Sequence, residues 1–219
     1  MGTTSKTIRL NLIRSVAIGL LLIIASAFTT KPNNYSASKT ENLKFDIVAF
    51  DMVVGQLDVM KVSYGESVFY SSKTKVNVDV IKEFEVLFDF NVNFTDKKMQ
   101  NSSIKASVNG DVYANTETKK QSDDLYYVFK EGKKNKELDD QIEFATVQLY
   151  FEEPKNITKC YAEQQGSFNT ITPLGDHSYK MKNEKGRENK YYYENGKLKK
   201  AVIDSGLKEF EIVAKEQIQ

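Results

Sequence analysis

The eleven residues from Phe84 to Phe94 alternate strictly between apolar and mostly polar side chains. Because successive side chains of a strand point to opposite faces, this pattern predicts one long strand with a buried face and a solvated face. At about 3.3 Å per residue the strand would extend for about 36 Å, whereas strands usually contain about 5–6 residues. The length favours a strongly bent antiparallel sheet or half-open β-barrel. The predicted fold class is all-β with one short helix, which comes from a later segment. The apolar positions are Phe84, Val86, Phe88, Phe90, Val92 and Phe94.

Asn-Gly dipeptides mark two β-hairpins further along the chain. Asn109-Gly110 and Asn195-Gly196 suit type I′ turns, which need positive φ at both central residues. Glu131-Gly132 and Lys185-Gly186 indicate turns of the same kind with weaker sequence support. The C-terminal part therefore predicts a meander of strands at Ser167–Thr172, Ser178–Lys182, Lys190–Glu194, Lys197–Ile203 and Leu207–Ala214.

One segment, residues 140–151, departs from the β pattern. Ile142, Ala145 and Leu149 recur at helical spacing, and Asp140 with Glu143 fits a capping box. The segment predicts a short helix, ended by a following proline, that packs as a lid across an end or opening of the sheet. Its predicted anchors are Leu149, Tyr150, Phe151, Glu153 and Pro154.

The N-terminus has the pattern of a secretory signal. Lys6, Arg9 and Arg14 precede the apolar run Val16–Ala25, and small residues up to Ala27 suit cleavage after that residue. An uncleaved anchor is the alternative. The pattern predicts export to the periplasm or cell envelope, and no cysteine lies near the cut to accept a lipid. The predicted organisation is a signal at 1–27, a flexible polar lead-in at 28–42, one domain at 43–214 and a tail at 215–219.

Charge excludes several classes of partner. The chain has 31 Lys and Arg against 30 Asp and Glu, and loss of residues 1–27 removes three basic groups, which leaves a net charge of −2. A nucleic-acid binder needs a clustered basic face, so no nucleic-acid partner is predicted. Arg187 is the only arginine left after the cut. Because the arginine fork is preferred for gripping phosphate or carboxylate, specific recognition of such groups is not expected.

Three motifs, in this order along the chain, carry a resemblance to a known family. They are F-D-I-V-A-F at Phe45–Phe50 followed by Gly55, L-Y-F-E-E-P at Leu149–Pro154, and N-K-Y-Y-Y-E-N-G at Asn189–Gly196. On these motifs the chain resembles an uncharacterised group of exported proteins, mainly from Bacteroidota, defined by a domain of unknown function. The resemblance implies no activity. In outline the chain is also similar to half-barrel lipoprotein-localisation carriers, whose bent sheet holds acyl chains against a helical lid, and that similarity is one of fold alone.

The residue types used in catalysis are sparse. His177 is the only histidine and Cys160 the only cysteine, so we interpret them as a loop residue and a buried apolar residue. Neighbouring carboxylates at Asp123/Asp124, Asp139/Asp140 and Glu152/Glu153 fit solvated turns and a helix cap better than acid–base pairs or a calcium loop. The run Tyr191–Tyr193 fits packing on both faces of a sheet better than a stacking platform. No catalytic residue, cofactor or metal site is predicted.

The alternating row at 84–94 allows three interpretations. It could be the core of a closed sheet, the wall of a ligand groove, or a strand of a membrane-spanning barrel. Lysines on both faces of the strand at Lys197–Ile203 argue against the third. We expect a non-catalytic envelope protein, in at most peripheral contact with the membrane, that binds a lipid or acyl chain on the six apolar residues of the row. The alternative is a structural module that binds another envelope protein through a sheet edge.

Overall fold

The computed structural model describes residues 38–78, 84–206 and 208–215 of the chain. The predicted signal peptide, most of the lead-in and most of the tail lie outside the described residues. The first strand begins at Lys39, four residues ahead of the predicted start of the domain at 43.

The described residues form fourteen antiparallel strands in a single sheet, which confirms the all-β class. Along the sheet the order is β8-β7-β6-β5-β4-β3-β2-β1-β14-β13-β12-β11-β10-β9, so β8 and β9 are its two edges and the sheet does not close. The strands are β1 Lys39–Ala49, β2 Met52–Tyr64, β3 Ser67–Val78, β4 Phe84–Thr95, β5 Lys98–Val108, β6 Asp111–Lys120, β7 Leu125–Lys130, β8 Lys133–Asp139, β9 Lys159–Ala162, β10 Ser167–Gly175, β11 Ser178–Lys182, β12 Glu188–Glu194, β13 Lys197–Asp204 and β14 Glu209–Ala214.

Both Asn-Gly hairpins are confirmed. Asn109 and Gly110 have φ of 49° and 88°, and Asn195 and Gly196 have φ of 51° and 75°. These are the left-handed conformations that a type I′ turn requires and that Asn and Gly adopt at little cost. The first turn connects β5 to β6 and the second connects β12 to β13.

The short helix predicted within 140–151 is a five-residue 3-10 helix, Thr146–Tyr150, and it is shorter than the predicted range. Ala145, directly before it, has an extended backbone. The carbonyl groups of Ile142 and Phe144 accept hydrogen bonds from strand residues, each at 2.8 Å, so they are not used in helical bonds. Asp140 does not cap this helix as predicted, since its carboxylate pairs with Lys159. The Gln148 side chain instead accepts the Ala145 N–H at 2.9 Å. Tertiary contacts override the local helical spacing here.

Residues 140–158, which we call the crossing segment, connect the two edges of the sheet. Since every neighbouring pair of strands is antiparallel, β8 ends and β9 begins at the same end of the sheet, which we call the crossing end. The far end carries the turns of the β5–β6, β7–β8, β9–β10 and β11–β12 hairpins. The chain thus enters and leaves the crossing segment without passing the far end.

The sheet bends around the crossing segment. Tyr150 stacks near Phe45 of β1, with ring centroids 5.7 Å apart, and Phe151 lies 5.6 Å from Tyr70 of β3. On the other half of the sheet the Tyr193 hydroxyl donates to the Leu149 carbonyl at 2.9 Å. Strands far apart in sheet order therefore share one core, as the predicted bent sheet requires.

Side chains also bridge the two halves of the bent sheet directly. The Thr118 hydroxyl on β6 lies 2.7 Å from the Tyr161 hydroxyl on β9. Next to it, the Thr116 hydroxyl donates to the Gln164 carbonyl in the β9–β10 turn at 3.1 Å. No backbone ladder joins these strands, so the bend depends on side chains and on the crossing segment.

A substitution at Gly55 tests the close approach of β2 to β3. A Cβ at Gly55 would lie 2.4 Å from the Lys75 carbonyl oxygen, a backbone atom that cannot rotate away. We expect Gly55→Ala to lower the free energy of unfolding by about 2–3 kcal/mol, the cost of overpacking. The exposed neighbour Gln56 offers the control, because Gln56→Ala should stay within about 0.5 kcal/mol of wild type in the same urea titration. Equal stability of the two variants would contradict the assigned register.

Candidate functional site

The six predicted ligand-binding residues divide into two groups along β4. Val92 and Phe94 lie toward the crossing end and are 0% and 3% exposed. Phe94 packs edge-on against Tyr70, with ring centroids 5.9 Å apart. These two residues belong to the core around the crossing segment and cannot contact a ligand without unpacking it.

Val86, Phe88 and Phe90 lie toward the far end and are only partly buried. Phe88 and Phe90 have ring centroids 6.5 Å apart, and the Tyr113 ring stands perpendicular to Phe88 at 6.2 Å. We call these four residues the apolar wall. The side chain of Phe84, the remaining predicted residue, lies outside the described residues.

Tyr113 is a member of the wall that the sequence analysis missed. Ala106 pairs with Ala114 and Ser107 pairs with Val112, which leaves Tyr113 as the extra residue of a β-bulge. The bulge breaks the alternation of β6 and brings the Tyr113 ring to the same side as Phe88. Tyr113 is 48% exposed, so the wall has an aromatic edge facing solvent. A bulge next to a hairpin turn leaves little signal in the sequence.

A polar cleft of about 470 Å³ adjoins the wall at the far end. Tyr113 lines both the wall and the cleft. The β7–β8, β9–β10 and β11–β12 connections form the other sides of the cleft. Its charged lining consists of Lys130, Lys136, Lys185 and Arg187 against Glu131 and Glu184.

Most of the cationic groups of the cleft have no acidic partner. Among the described residues the ammonium groups of Lys130, Lys136 and Lys185 form no ion pair. The Arg187 guanidinium donates to the Ser205 carbonyl at 3.0 Å and remains exposed. Arg187, the single arginine that follows the predicted signal, thus lies in this cleft. The composition gives the number of arginines but not this position.

The predicted lid anchors hold the 3-10 turn rather than an α-helix. Leu149 and Phe151 are 1% and 4% exposed, Pro154 is buried, and Tyr150 is partly buried against the core. These residues pack inside the bend of the sheet. Two of them pack on aromatic rings of β1 and β3.

Glu153, the last predicted anchor, ties the end of the crossing segment to β11. Its carboxylate accepts hydrogen bonds from the Tyr179 hydroxyl at 2.8 Å and from His177 Nδ1 at 2.9 Å, and its side chain is 3% exposed. Burial raises the pKa of Glu153, but the hydrogen bonds from His177 and Tyr179 outweigh it and lower the pKa overall. Burial and the hydrogen bond to Glu153 raise the pKa of Tyr179 to about 12. His177 is a 60% exposed loop residue that orients this anchor.

Glu163, a fully buried carboxylate, is a second residue that the sequence does not predict. It accepts the backbone N–H groups of Thr146 and Val147 at 3.2 and 3.0 Å, together with the Thr146 hydroxyl. These are donors at the start of the 3-10 turn, which have no partner within the turn. Burial raises the pKa of Glu163 despite these hydrogen bonds. Its sequence context, in the turn between β9 and β10, resembles that of any surface glutamate.

The remaining candidates fall into structural positions. Cys160 is buried, and burial raises the pKa of its thiol well above the ordinary value, which suits a packing role. Tyr191 and Tyr193 are buried, whereas Tyr192 is 38% exposed on the other face. Asp123 pairs with Lys120 in an exposed turn. Within the described residues no group of three or more His, Cys, Asp or Glu side chains could hold a metal ion.

None of the helices in the described part of the chain has the length and apolar character needed to cross a membrane.

Comparison with protein families matches residues 45–215 to DUF6134, a domain of unknown function. No curated protein and no solved structure matches the chain.

Glu163 gives a stability prediction with a defined pH direction. Because burial raises its folded-state pKa, the unfolded chain loses this proton at a lower pH, so the contribution of Glu163 to stability falls as pH rises above about 4.3. We expect the free energy of unfolding of wild type minus that of Glu163→Gln to be larger at pH 4 than at pH 7. Glu163→Ala, which leaves buried N–H groups unpaired, should lose about 3 kcal/mol. The exposed Glu143→Gln is the control, and a pH-independent difference for Glu163→Gln would refute the assignment.

Glu153 should show the opposite pH dependence. Its folded-state pKa is lowered, so its stabilisation is present above the ordinary value of about 4.3 and is lost as pH falls through the folded-state pKa. Glu153→Gln should cost about 1.5 kcal/mol at neutral pH, since the bonds it weakens are to a charged group. Tyr179→Phe should lose part of that amount. Urea titrations at several pH values measure the stability of both variants. A difference in free energy of unfolding between wild type and Glu153→Gln that grows toward acid pH would contradict the hydrogen bonds assigned to Glu153.

Proposed function

The chain belongs to the DUF6134 family, and we propose that it is an exported, non-catalytic protein of the cell envelope that binds a lipid or acyl chain on its apolar wall. The ligand lies on the far-end half of the inner sheet face, against Val86, Phe88, Phe90 and Tyr113. Export follows from the sequence pattern of residues 1–27. N-terminal sequencing of the protein from a fractionated envelope tests that step, and a chain that retains residues 1–27 in the cytoplasm would contradict it.

The observation that carries the proposal is the unequal burial along β4. The same alternating row is fully packed at Val92 and Phe94 and only partly covered at Phe88 and Phe90. The crossing segment packs on β1 and β3, and Phe88 and Phe90 on β4 keep part of their surface uncovered. Partly exposed aromatic rings on a concave inner face are the usual lining of a site for an apolar ligand.

The energy available from such a wall is sufficient for binding. An acyl chain that buries about 300 Å² of apolar surface gains several kcal/mol at about 25 cal/mol per Å². Before the cost of immobilising the chain, that gain corresponds to a dissociation constant of a few micromolar, and the cost makes the binding weaker than that. An affinity in that range suits a carrier that must release its ligand.

The edges of the sheet argue against the alternative of a protein partner added as a further strand. The backbone of β9 is already occupied, because Ala145 forms a parallel bridge with Tyr161, whose N–H donates to the Phe144 carbonyl at 2.8 Å. The other edge, β8, carries Lys133, Lys134 and Lys136, and lysines on an edge strand oppose pairing with another chain. The inner wall is therefore the better-supported binding surface.

The adjacent residues Phe88 and Leu87 provide a matched pair for testing the proposal. Phe88 is on the inner face, whereas Leu87 is on the outer face and 37% exposed. Phe88→Ser should weaken binding of decyl maltoside, an uncharged single-chain probe used below its micelle concentration, by about tenfold to a hundredfold in isothermal titration calorimetry. Leu87→Ser should bind as wild type does.

Native mass spectrometry and lipid extraction of the purified full chain give an independent result. We expect an apolar molecule to co-purify with wild type and with Leu87→Ser but not with Phe88→Ser. Circular dichroism and urea titration check that both variants fold. Absence of both a co-purified lipid and probe binding by folded wild type would refute the proposal.

A further inference from the structure

We propose that the polar cleft at the far end is a subsite for an anionic headgroup, so that the ligand is an amphiphile with a negatively charged head and an apolar tail. This inference rests on the proposed function, because the tail is the part that the apolar wall binds. It adds the chemical class of the ligand and a second set of binding residues.

The apolar wall and the polar cleft are continuous with each other along the sheet. Phe88 of the wall pairs with Ala106, and Ala106 pairs with Ala114, which lines the cleft. Two strand spacings of about 4.8 Å separate Phe88 from Ala114, so the two surfaces are about 10 Å apart across the sheet. Tyr113, in contact with Phe88 and lining the cleft, lies between them. One molecule of modest length can contact both.

Side chains on the inner face become more polar from β4 to β7. In one register row Phe90 on β4 pairs with Ile104 on β5, Ile104 pairs with Thr116 on β6, and Thr116 pairs with Lys130 on β7. Side chains in register on neighbouring antiparallel strands point to the same face. The row thus passes from aromatic to aliphatic, hydroxyl and ammonium groups. The β9–β10 turn covers Thr116 through its bond to Gln164, so a ligand passes from wall to cleft beside Tyr113.

The lining of the cleft carries more positive than negative side chains. Four cationic side chains line it against two carboxylates, in a domain whose predicted mature chain carries a net negative charge. Lys130, Lys136 and Lys185 form no ion pair with described residues, although many other lysines of the sheet do, including Lys75, Lys200 and Lys215. Lysine acts as a compact point charge and binds phosphate or carboxylate oxygens without the geometry that arginine demands. The amide groups of Asn115, Gln164 and Asn183, also in the lining, add hydrogen-bond donors.

The cleft has room for a headgroup. Its volume of about 470 Å³ lies within the range of small-molecule sites, about 300–1,000 Å³. It is lined by both polar and apolar atoms, as a junction between headgroup and tail requires.

The test compares two probes with the same tail. Decyl phosphate carries an anionic head and decyl maltoside an uncharged one, and both are titrated calorimetrically into the full mature chain below their micelle concentrations. We expect wild type to bind decyl phosphate at least about tenfold more tightly than decyl maltoside. The preference should shrink when salt rises from about 0.1 M to about 1 M, because the Debye length falls from about 10 Å to about 3 Å.

Variants assign the preference to the cleft. The triple variant Lys130→Gln, Lys136→Gln and Lys185→Gln should lose most of the preference for decyl phosphate and keep its affinity for decyl maltoside. A control triple, Lys97→Gln, Lys105→Gln and Lys190→Gln, changes the overall charge equally at exposed positions outside the cleft lining and should keep the preference. Phe88→Ser should weaken both probes alike.

The outcomes separate this inference from the proposed function. If both probes bind wild type equally, or if the cleft triple retains the preference, the headgroup subsite is refuted while tail binding stands. If neither decyl probe binds and inorganic phosphate alone does, both the tail site and the amphiphile are refuted. A loss of preference in the control triple equal to that in the cleft triple would assign it to overall charge and also overturn the inference.

Discussion

The architecture depends on how one non-strand segment satisfies its backbone inside an all-β core. An unpaired buried N–H group costs about as much as a hydrogen bond is worth or more, so residues 140–158 could not lie inside the bend without partners. Glu163 supplies acceptors for the start of the 3-10 turn, and the Tyr193 hydroxyl donates to the Leu149 carbonyl. Strand residues bond the carbonyl groups of Ile142 and Phe144. With these bonds in place, the apolar side chains of the segment become the core around which the sheet bends.

The parts of the fold that the sequence predicts are those that local chemistry decides. Asn109-Gly110 and Asn195-Gly196 specify turns through their own φ preferences, and the alternation of 84–94 specifies a strand through its own side chains. The segment at 140–151 forms only a 3-10 helix of five residues, because the carbonyl groups of Ile142 and Phe144 accept hydrogen bonds from strands distant in sequence. Glu163 escapes notice for the same reason, since its role exists only once the bend brings Thr146 next to it. Tyr113 requires knowledge of a bulge, and a bulge is a property of register between two strands.

The alternation of β4 predicts one part of its role and leaves another part open. It predicts which side chains share a face, and the structure confirms that Val92 and Phe94 are buried on that face. It does not predict what covers each residue, because that depends on where a distant segment crosses. For Val92 and Phe94 the row is core, although the sheet does not close, and for Phe88 and Phe90 the ligand groove stays a proposal.

The charge pattern, too, depends on which residues the fold brings together. The near balance of basic and acidic residues in the whole chain argues against a broad charged surface, but it does not say where the individual charges lie. A headgroup site needs only a few cations next to an apolar surface. Hairpin connections gather them here, because Lys130, Lys185 and Arg187 all lie at or beside far-end connections. The same connections bring the apolar wall and the cationic cleft together at the far end, and the ligand proposed for the two is an anionic amphiphile.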